Sequence, residues 1–333
     1  MDQVARPPIE IGLTAAIVTV DDQQPLILVV AGVNGDDGGD TPDGLPFGPF
    51  DPITHRTLEM GLRAWVAEQT TLKLGYVEQL YTFGDRGRHA HPGDRGPHLV
   101  SVGYLALTRP DPNAAEALAL TGARWRRWYD FFPWEDWRDG RPALLDKVVL
   151  PALRRWARRP AAGSVGRRGL GPQERIRLAF GDKGGRWDEE RILDRYELLY
   201  EAALVAEARR DGRTPADGAP PPSAFGASMR FDHRRILATA IARLRAKLKY
   251  RPVVFELMGR EFTLTDLQRT VEAISGRHLH KQNFRRLVEA ATLVEPTGTA
   301  APPKRGRPAA LFRFRREVLK ERPAPGLRVG SRS

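Results

Sequence analysis

Along the first 110 residues the apolar positions come in short runs rather than helical stripes. Ile11–Val20, Leu26–Ala31, Tyr76–Phe83 and Leu99–Leu107 are each rich in branched or aromatic side chains and bounded by Gly, Pro or Asp, which predicts strands. Gly35–Gly44 reads as a loop. Between the second and third runs lies Thr57–Thr70, where Leu58, Leu62, Trp65 and Val66 fall on one helical face. The pattern predicts an α+β or α/β sandwich with a helix near its centre.

The middle of the chain changes character. Residues 121–138 carry Trp125, Trp128, Tyr129, Phe131, Phe132, Trp134 and Trp137, side chains that more often pack than react. A helix is expected around Leu144–Ala157. A second runs from about Asp188 to Arg209, with Ile192, Tyr196, Leu199 and Ala203 on a common seam. That seam either docks on the first domain or makes a dimer contact, and periodicity alone does not choose. Arg213–Ser228 (RTPADGAPPPSAFGAS) reads as a linker whose Pro, Gly and small residues bury no apolar surface.

Helical periodicity then resumes. Leu237, Ile241, Leu244 and Leu248 form the stripe of one helix. Thr263 or Thr265 offers an N-cap for a second, with Leu264, Leu267, Val271 and Ile274 inward. Ser275–His280 makes a turn, and Lys281–Ala291 forms a third helix with Phe284, Leu287, Val288 and Ala291 inward. Its other face offers Lys281, Gln282, Asn283, Arg285 and Arg286, with Glu289 beside them. Two helices across a short Gly-containing turn, the second presenting amide and guanidinium groups outward, suit the major groove of a duplex. Leu293–Pro296 and Leu311–Arg315 read as strands joined by a tip containing KRGRP. Helices followed by such a hairpin make a winged helix, with Lys304, Arg305 and Arg307 placed to meet phosphates.

Charge sharpens this picture. The net charge is +12, and it is segregated. From Met229 onward there are 24 Lys and Arg against 9 Asp and Glu; the first 228 residues hold 29 basic and 32 acidic groups. The whole surplus therefore lies in the last third, the footprint of a polyanionic partner. The absence of cysteine excludes disulfides, thiolate metal sites and a cysteine nucleophile, and fits a cytoplasmic protein. No run of about 18 apolar residues suggests a membrane span, and the N-terminus shows no secretory pattern.

Particular segments add a resemblance. LPFGPF…LRAWVAEQTTL, VEQLYTFGDRGR and HLVSVGYLAL resemble the Nudix half of Nudix-related transcriptional regulators of the NrtR type. MRFDHRRILATAIARLRAKLKY, FTLTDLQ, HKQNFRRL and GRPAALFRF resemble the winged-helix half. The stretch from Asp136 to Ser228 exceeds what compact members of that family need; with RYELLYEAALV it looks like the version found in regulators of NAD metabolism. The resemblance implies a Nudix-like α/β/α sandwich over 1–140, a helical extension over 141–212 for dimerisation or transmission, a linker over 213–228, a winged helix over 229–318 and a disordered tail over 319–333.

A working Nudix hydrolase holds Mg²⁺ against a diphosphate with glutamates of an Arg-Glu-apolar-any-Glu-Glu helix. Aligned on Glu68 and Leu72, that pattern places Ala64 at the arginine, Trp65 at the first glutamate and Gln69 at the last. Only Glu68 keeps its charge, a vestigial metal candidate, so hydrolysis is expected to be lost and no cofactor required. The resemblance further implies an effector, ADP-ribose or NAD, held by Phe83, Asp85, Arg88, Ser101 and Tyr104. His89, His91 and His98 lack acidic partners at metal-ligand spacing. The expectation is a homodimeric, ligand-responsive repressor of NAD-metabolism genes acting on a double-stranded operator. The alternatives are an active Nudix pyrophosphatase with an accessory DNA-binding domain, and an architectural protein binding DNA through KRGRP.

Overall fold

The structure, a computed structural model, describes residues 8–32, 42–70, 72, 74–85, 98–111, 114–159, 169–302, 308–321 and 326–327. Strands β1 (Ile9–Asp21), β2 (Gln24–Val30), β3 (Phe47–Pro49), β4 (Val77–Phe83), β5 (His98–Leu107) and β6 (Ala123–Arg127) form one mixed sheet. Its order is β4-β5-β1-β2-β6, with β3 also paired to β1. Only β1 and β5 run parallel; the other pairs are antiparallel. The β1–β2 hairpin turns at Asp22 and Gln23, both at positive φ (41° and 62°), which matches the strand twist as a mirror-image two-residue turn does. The four expected strands are present, each within two residues of its expected ends. The patterning missed β3, only three residues long and holding Gly and Pro, and β6, which is short and rich in arginine.

Alternation sends the two sides of the sheet to different helices. Leu13, Ala15, Ile17, Val102, Tyr104 and Ala106 pack with Leu62 and Val66 of α1 (Leu58–Thr70) and Leu118 of α2 (Ala114–Leu120). Ala16, Val18, Val20, Leu105 and Leu107 face the opposite way, into a core that runs on through the aromatic segment, the extension and the C-terminal helices. The second helical layer is led by α7 (His233–Leu248), which lies against β1, β4 and β5. Gly103 makes that approach possible: a Cβ there would sit 2.9 Å from Phe83 and 3.2 Å from Ile236. The sandwich is thus closed by a helix that also opens the C-terminal domain.

The extension comprises a π-helical turn at Leu145–Val149 running into α3 (Leu150–Trp156), then α4 (Pro172–Phe180), α5 (Ile192–Glu201) and α6 (Ala206–Arg210). The single helix expected from Asp188 to Arg209 is broken, because Ala203 turns left-handed (φ 54°) and the Leu204 N–H reaches back to Leu199 O. Its seam is settled. Ile192, Tyr196, Leu199 and Ala203 are all buried within the chain, so they dock intramolecularly. The aromatic segment packs as expected, with Trp128, Phe131, Phe132 and Trp134 completely buried.

Two expectations need correction. Residues 213–228 do bury apolar surface: Phe225 is completely buried, on a 3-10 turn (Pro222–Phe225), and Ala227 N–H bonds Asp130 O at 2.9 Å. One aromatic residue suffices, because the surrounding backbone carbonyls find donors; Gly218 O accepts from Arg155 and Pro220 O from Arg209. Nor are the described residues of the tail without structure. After the short helix α10 (Val318–Glu321), Leu327 is buried and its N–H donates to Leu248 O at 3.0 Å.

Candidate nucleic-acid interface and small-molecule site

Helix α8 (Leu264–Ser275) starts with a reciprocal cap. Thr263 Oγ1 accepts the Asp266 N–H and the Asp266 carboxylate accepts the Thr263 N–H. It ends at Gly276, left-handed at φ 71°. In the following turn Glu272 accepts the Leu279 N–H at 2.7 Å, and Gln268 bonds both Glu272 and Leu279 O at 2.9 Å. This sets the start of α9 (Lys281–Ala291). Phe284 and Val288 of α9 are buried, while Lys281, Gln282, Arg285 and Arg286 are exposed and Asn283 is half-buried. Among the described residues, Lys281, Gln282 and Arg285 make no side-chain hydrogen bond or ion pair, and Arg286 has only a 3.4 Å contact with Asn283. An outward row of unsatisfied donors, backed by a packed apolar face, can be offered to base edges and phosphates.

Strands β7 (Val294–Ala300) and β8 (Ala310–Phe314) form the antiparallel wing. Phe262 bonds Phe312 in both directions, and Phe314 stacks on Phe255 at 4.4 Å, so the wing is fastened to the helices. Ala301 N–H donates to Ala309 O at 2.8 Å, closing the hairpin below its tip. Lys304, Arg305 and Arg307 lie outside the described residues. Between α9 and β7, exposed Thr292 adopts φ 49°, a left-handed conformation that branching at Cβ disfavours. Replacing Thr292 by glycine should raise stability by about 1 kcal/mol, read as a higher urea midpoint. A lower midpoint would mean that the Thr292 side chain outweighs the strain.

The residues carried over for a small molecule do not converge on one point. Phe83 is buried on the α7 side, with the Arg235 guanidinium 5.4 Å from its ring centre. Asp85 is exposed and paired with that same arginine. Both border a groove of about 940 Å³ between the end of β4 and the extension, alongside Tyr81, Arg175, Tyr200 and Arg213. Ser101 is completely buried and bonds Thr14 Oγ1 at 2.8 Å. Tyr104 lies on the α1 side of the sheet, only 3% exposed; burial holds its hydroxyl above the ordinary phenol range, helped by the nearby Glu59 charge. Arg88, His89 and His91 lie outside the described residues, and His98 bonds Gly84 O. The sequence pattern did not reveal that the extension and the segment after it share the groove, since nothing local to Tyr200 or Arg213 points toward β4.

The helix positions aligned with the hydrolase acids have another use here. Trp65 donates its indole N–H to Pro49 O at 2.6 Å and packs on Gly48, where any Cβ would collide with the ring. The Gln69 amide bonds Phe47 N at 3.3 Å and Phe47 O at 2.7 Å. Both side chains therefore clasp α1 to β3. Glu68 is exposed, and no group of three or more metal-ligating side chains occurs among the described residues.

The chain therefore combines an α/β/α sandwich with a winged helix that its second helical layer leads into. Residues 254–314 match the NrtR DNA-binding winged helix domain. Over 84 residues the chain is 42% identical to the ADPR responsive transcriptional repressor NtrR of Acinetobacter baylyi; the match takes in 25% of this chain and 33% of that protein, about a third of its length. Crystallised Shewanella oneidensis NrtR complexed with a 27mer DNA has the same fold (TM-score 0.55, 22% identity, 93% of this chain and 95% of that one). A second structure of Shewanella oneidensis NrtR matches similarly, with TM-score 0.53, 22% identity, and 92% and 95% coverage. Residues 254–314 thus carry an NrtR-type winged helix, and the expected α+β architecture with a C-terminal winged helix stands.

Proposed function

We propose that this protein is a ligand-responsive transcriptional repressor that binds a double-stranded operator and senses ADP-ribose or a related nucleotide. The observation that carries the reading is the outward face of α9, where Lys281, Gln282 and Arg285 have no partner among the described residues, inside a domain that matches the NrtR winged helix. The effector is supported by the Acinetobacter baylyi relative, which is named for its response to ADPR. In this reading the protein acts as a homodimer in the cytoplasm on NAD-metabolism genes. Phosphate contacts come from the wing tip, base contacts from α9, and the effector contacts from the N-terminal domain.

Hydrolysis is not part of the proposal. Two of the positions needed for metal-binding carboxylates hold Trp65 and Gln69, both committed to β3, and a lone Glu68 does not assemble a metal site for a diphosphate. With ADP-ribose and Mg²⁺ the protein should release no AMP above background over hours; turnover at ordinary enzyme rates would establish the pyrophosphatase instead. The regulatory reading itself is tested by selecting duplexes from a random pool with and without ADP-ribose or NAD. An enriched operator whose retention changes with one nucleotide supports it. Equal retention of every sequence points to an architectural protein.

A further inference from the structure

The last turn of α8 is held by groups that come from outside the helix-turn-helix. Tyr129, just past β6, donates its hydroxyl to Ala273 O at 2.7 Å. Arg245 of α7 donates Nε–H to Ile274 O at 2.9 Å. The Trp137 backbone N–H donates to Gly276 O at 2.7 Å. A helix ordinarily leaves its final carbonyls to its own cap or to water. Here the aromatic segment and α7 fill that role, immediately before the turn that launches α9.

Glu135 lies at the centre of this arrangement. Its side chain is completely buried and accepts Arg195 Nε–H at 2.5 Å and Arg245 Nη1–H at 2.6 Å. Arg195, from α5, also bonds Ala179 O and Asp188 O and lies 3.9 Å from the Trp187 ring centre. One carboxylate therefore joins the strand-to-helix connection after β6, the extension and α7, and through Arg245 the end of α8. Gly276 completes the fit: it is left-handed, and a Cβ on it would run into Glu135 O. Two arginines share this one buried carboxylate, with the Asp188 charge acting on Arg195 as well, and removing the carboxylate would leave two buried cations short of a partner.

We propose that Glu135 and Tyr129 are positioning residues for DNA recognition, fixing the α8–α9 unit on the body of the protein so that displacement of the aromatic segment re-aims α9. This rests on the regulatory reading above. A nucleotide that shifts the sheet or the extension moves the donors on which the α8 carbonyls rest, and the recognition helix follows. The coupling needs no contact between effector and DNA; it needs a connection with two arrangements of different operator affinity.

The test uses the full chain, a selected operator duplex, a random duplex and ADP-ribose. Tyr129→Phe removes one hydroxyl; Glu135→Gln is the stronger change, and the milder variant guards against a protein that fails to fold. For Tyr129→Phe the ratio of operator Kd with and without ADP-ribose should move toward one by roughly threefold or more, while ADP-ribose affinity and random-duplex affinity stay near those of the parent and the thermal midpoint falls by no more than a few degrees. Hydrogen exchange over residues 275–280 should rise about fivefold without nucleotide. Unchanged ratio and unchanged exchange in folded variants overturn the inference, and raised exchange with an intact ratio reduces the contact to a structural staple and overturns it too. A parent whose operator affinity ignores ADP-ribose refutes the regulatory reading; exchange at 275–280 then decides whether Tyr129 and Glu135 position the turn at all.

Discussion

Replacing Phe225 by alanine is expected to destabilise the protein by about 3–5 kcal/mol, the range for emptying a closed aromatic site. Phe225 is completely buried although it lies in the least apolar stretch of the chain. Around it the backbone is fixed from several directions. Arg234, itself completely buried, donates to Phe225 O and Phe131 O, and Glu207 accepts the Met229 N–H at 2.9 Å. The site cannot collapse cheaply, because the next residue, Gly226 at φ 83°, sits where a Cβ would come within 2.7 Å of Phe131 O and 2.9 Å of Asp130 O. The cost should appear in the urea midpoint with the slope unchanged. A loss below about 1 kcal/mol would show that residues 213–228 behave as a tether.

On the proposed function, Arg286→Ala is expected to weaken operator binding by about 1–3 kcal/mol and to relax the base preference at the position it contacts. Arg286 stands opposite the Phe284 and Val288 face of α9, exposed and held only by a long contact with Asn283. Its removal therefore costs the free protein almost nothing, so the change in affinity reports the complex. Substituting Arg305 and Arg307 together should act differently, lowering affinity for all sequences alike and flattening the salt dependence by about two counterions. Competition binding against single-base operator variants at two salt concentrations separates the effects. Identical losses on every sequence for both mutants would contradict this division between α9 and wing.

Much of the C-terminal domain was legible because its signals are local. The Thr263 cap, the Leu267/Val271/Ile274 stripe and the Phe284/Val288 stripe each lie within a few turns, and the helices formed where those residues put them. The candidate effector site was less legible. Phe83 and Asp85 do border one groove, whereas Ser101 faces inward on Thr14 and Tyr104 lies across the sheet. A quoted motif records neighbours in sequence, but in a strand alternate residues leave on opposite faces. Residues 213–228 misled for a related reason: composition averages over the segment, and one phenylalanine decided its packing.

The sequence by itself determined the order and type of most of the long periodic elements, the outward polar face of α9, the gathering of positive charge after Met229 and the scarcity of acids at the aligned positions of α1. Each depends on side chains close together in the chain, where helix or strand period is enough. Only the tertiary structure decided that α7 closes the sandwich, that the seam around Tyr196 docks within its own chain, and that Tyr129 caps a helix 144 residues away. Those outcomes turn on buried polar groups finding partners at a distance, a requirement set by desolvation and geometry that no local pattern encodes.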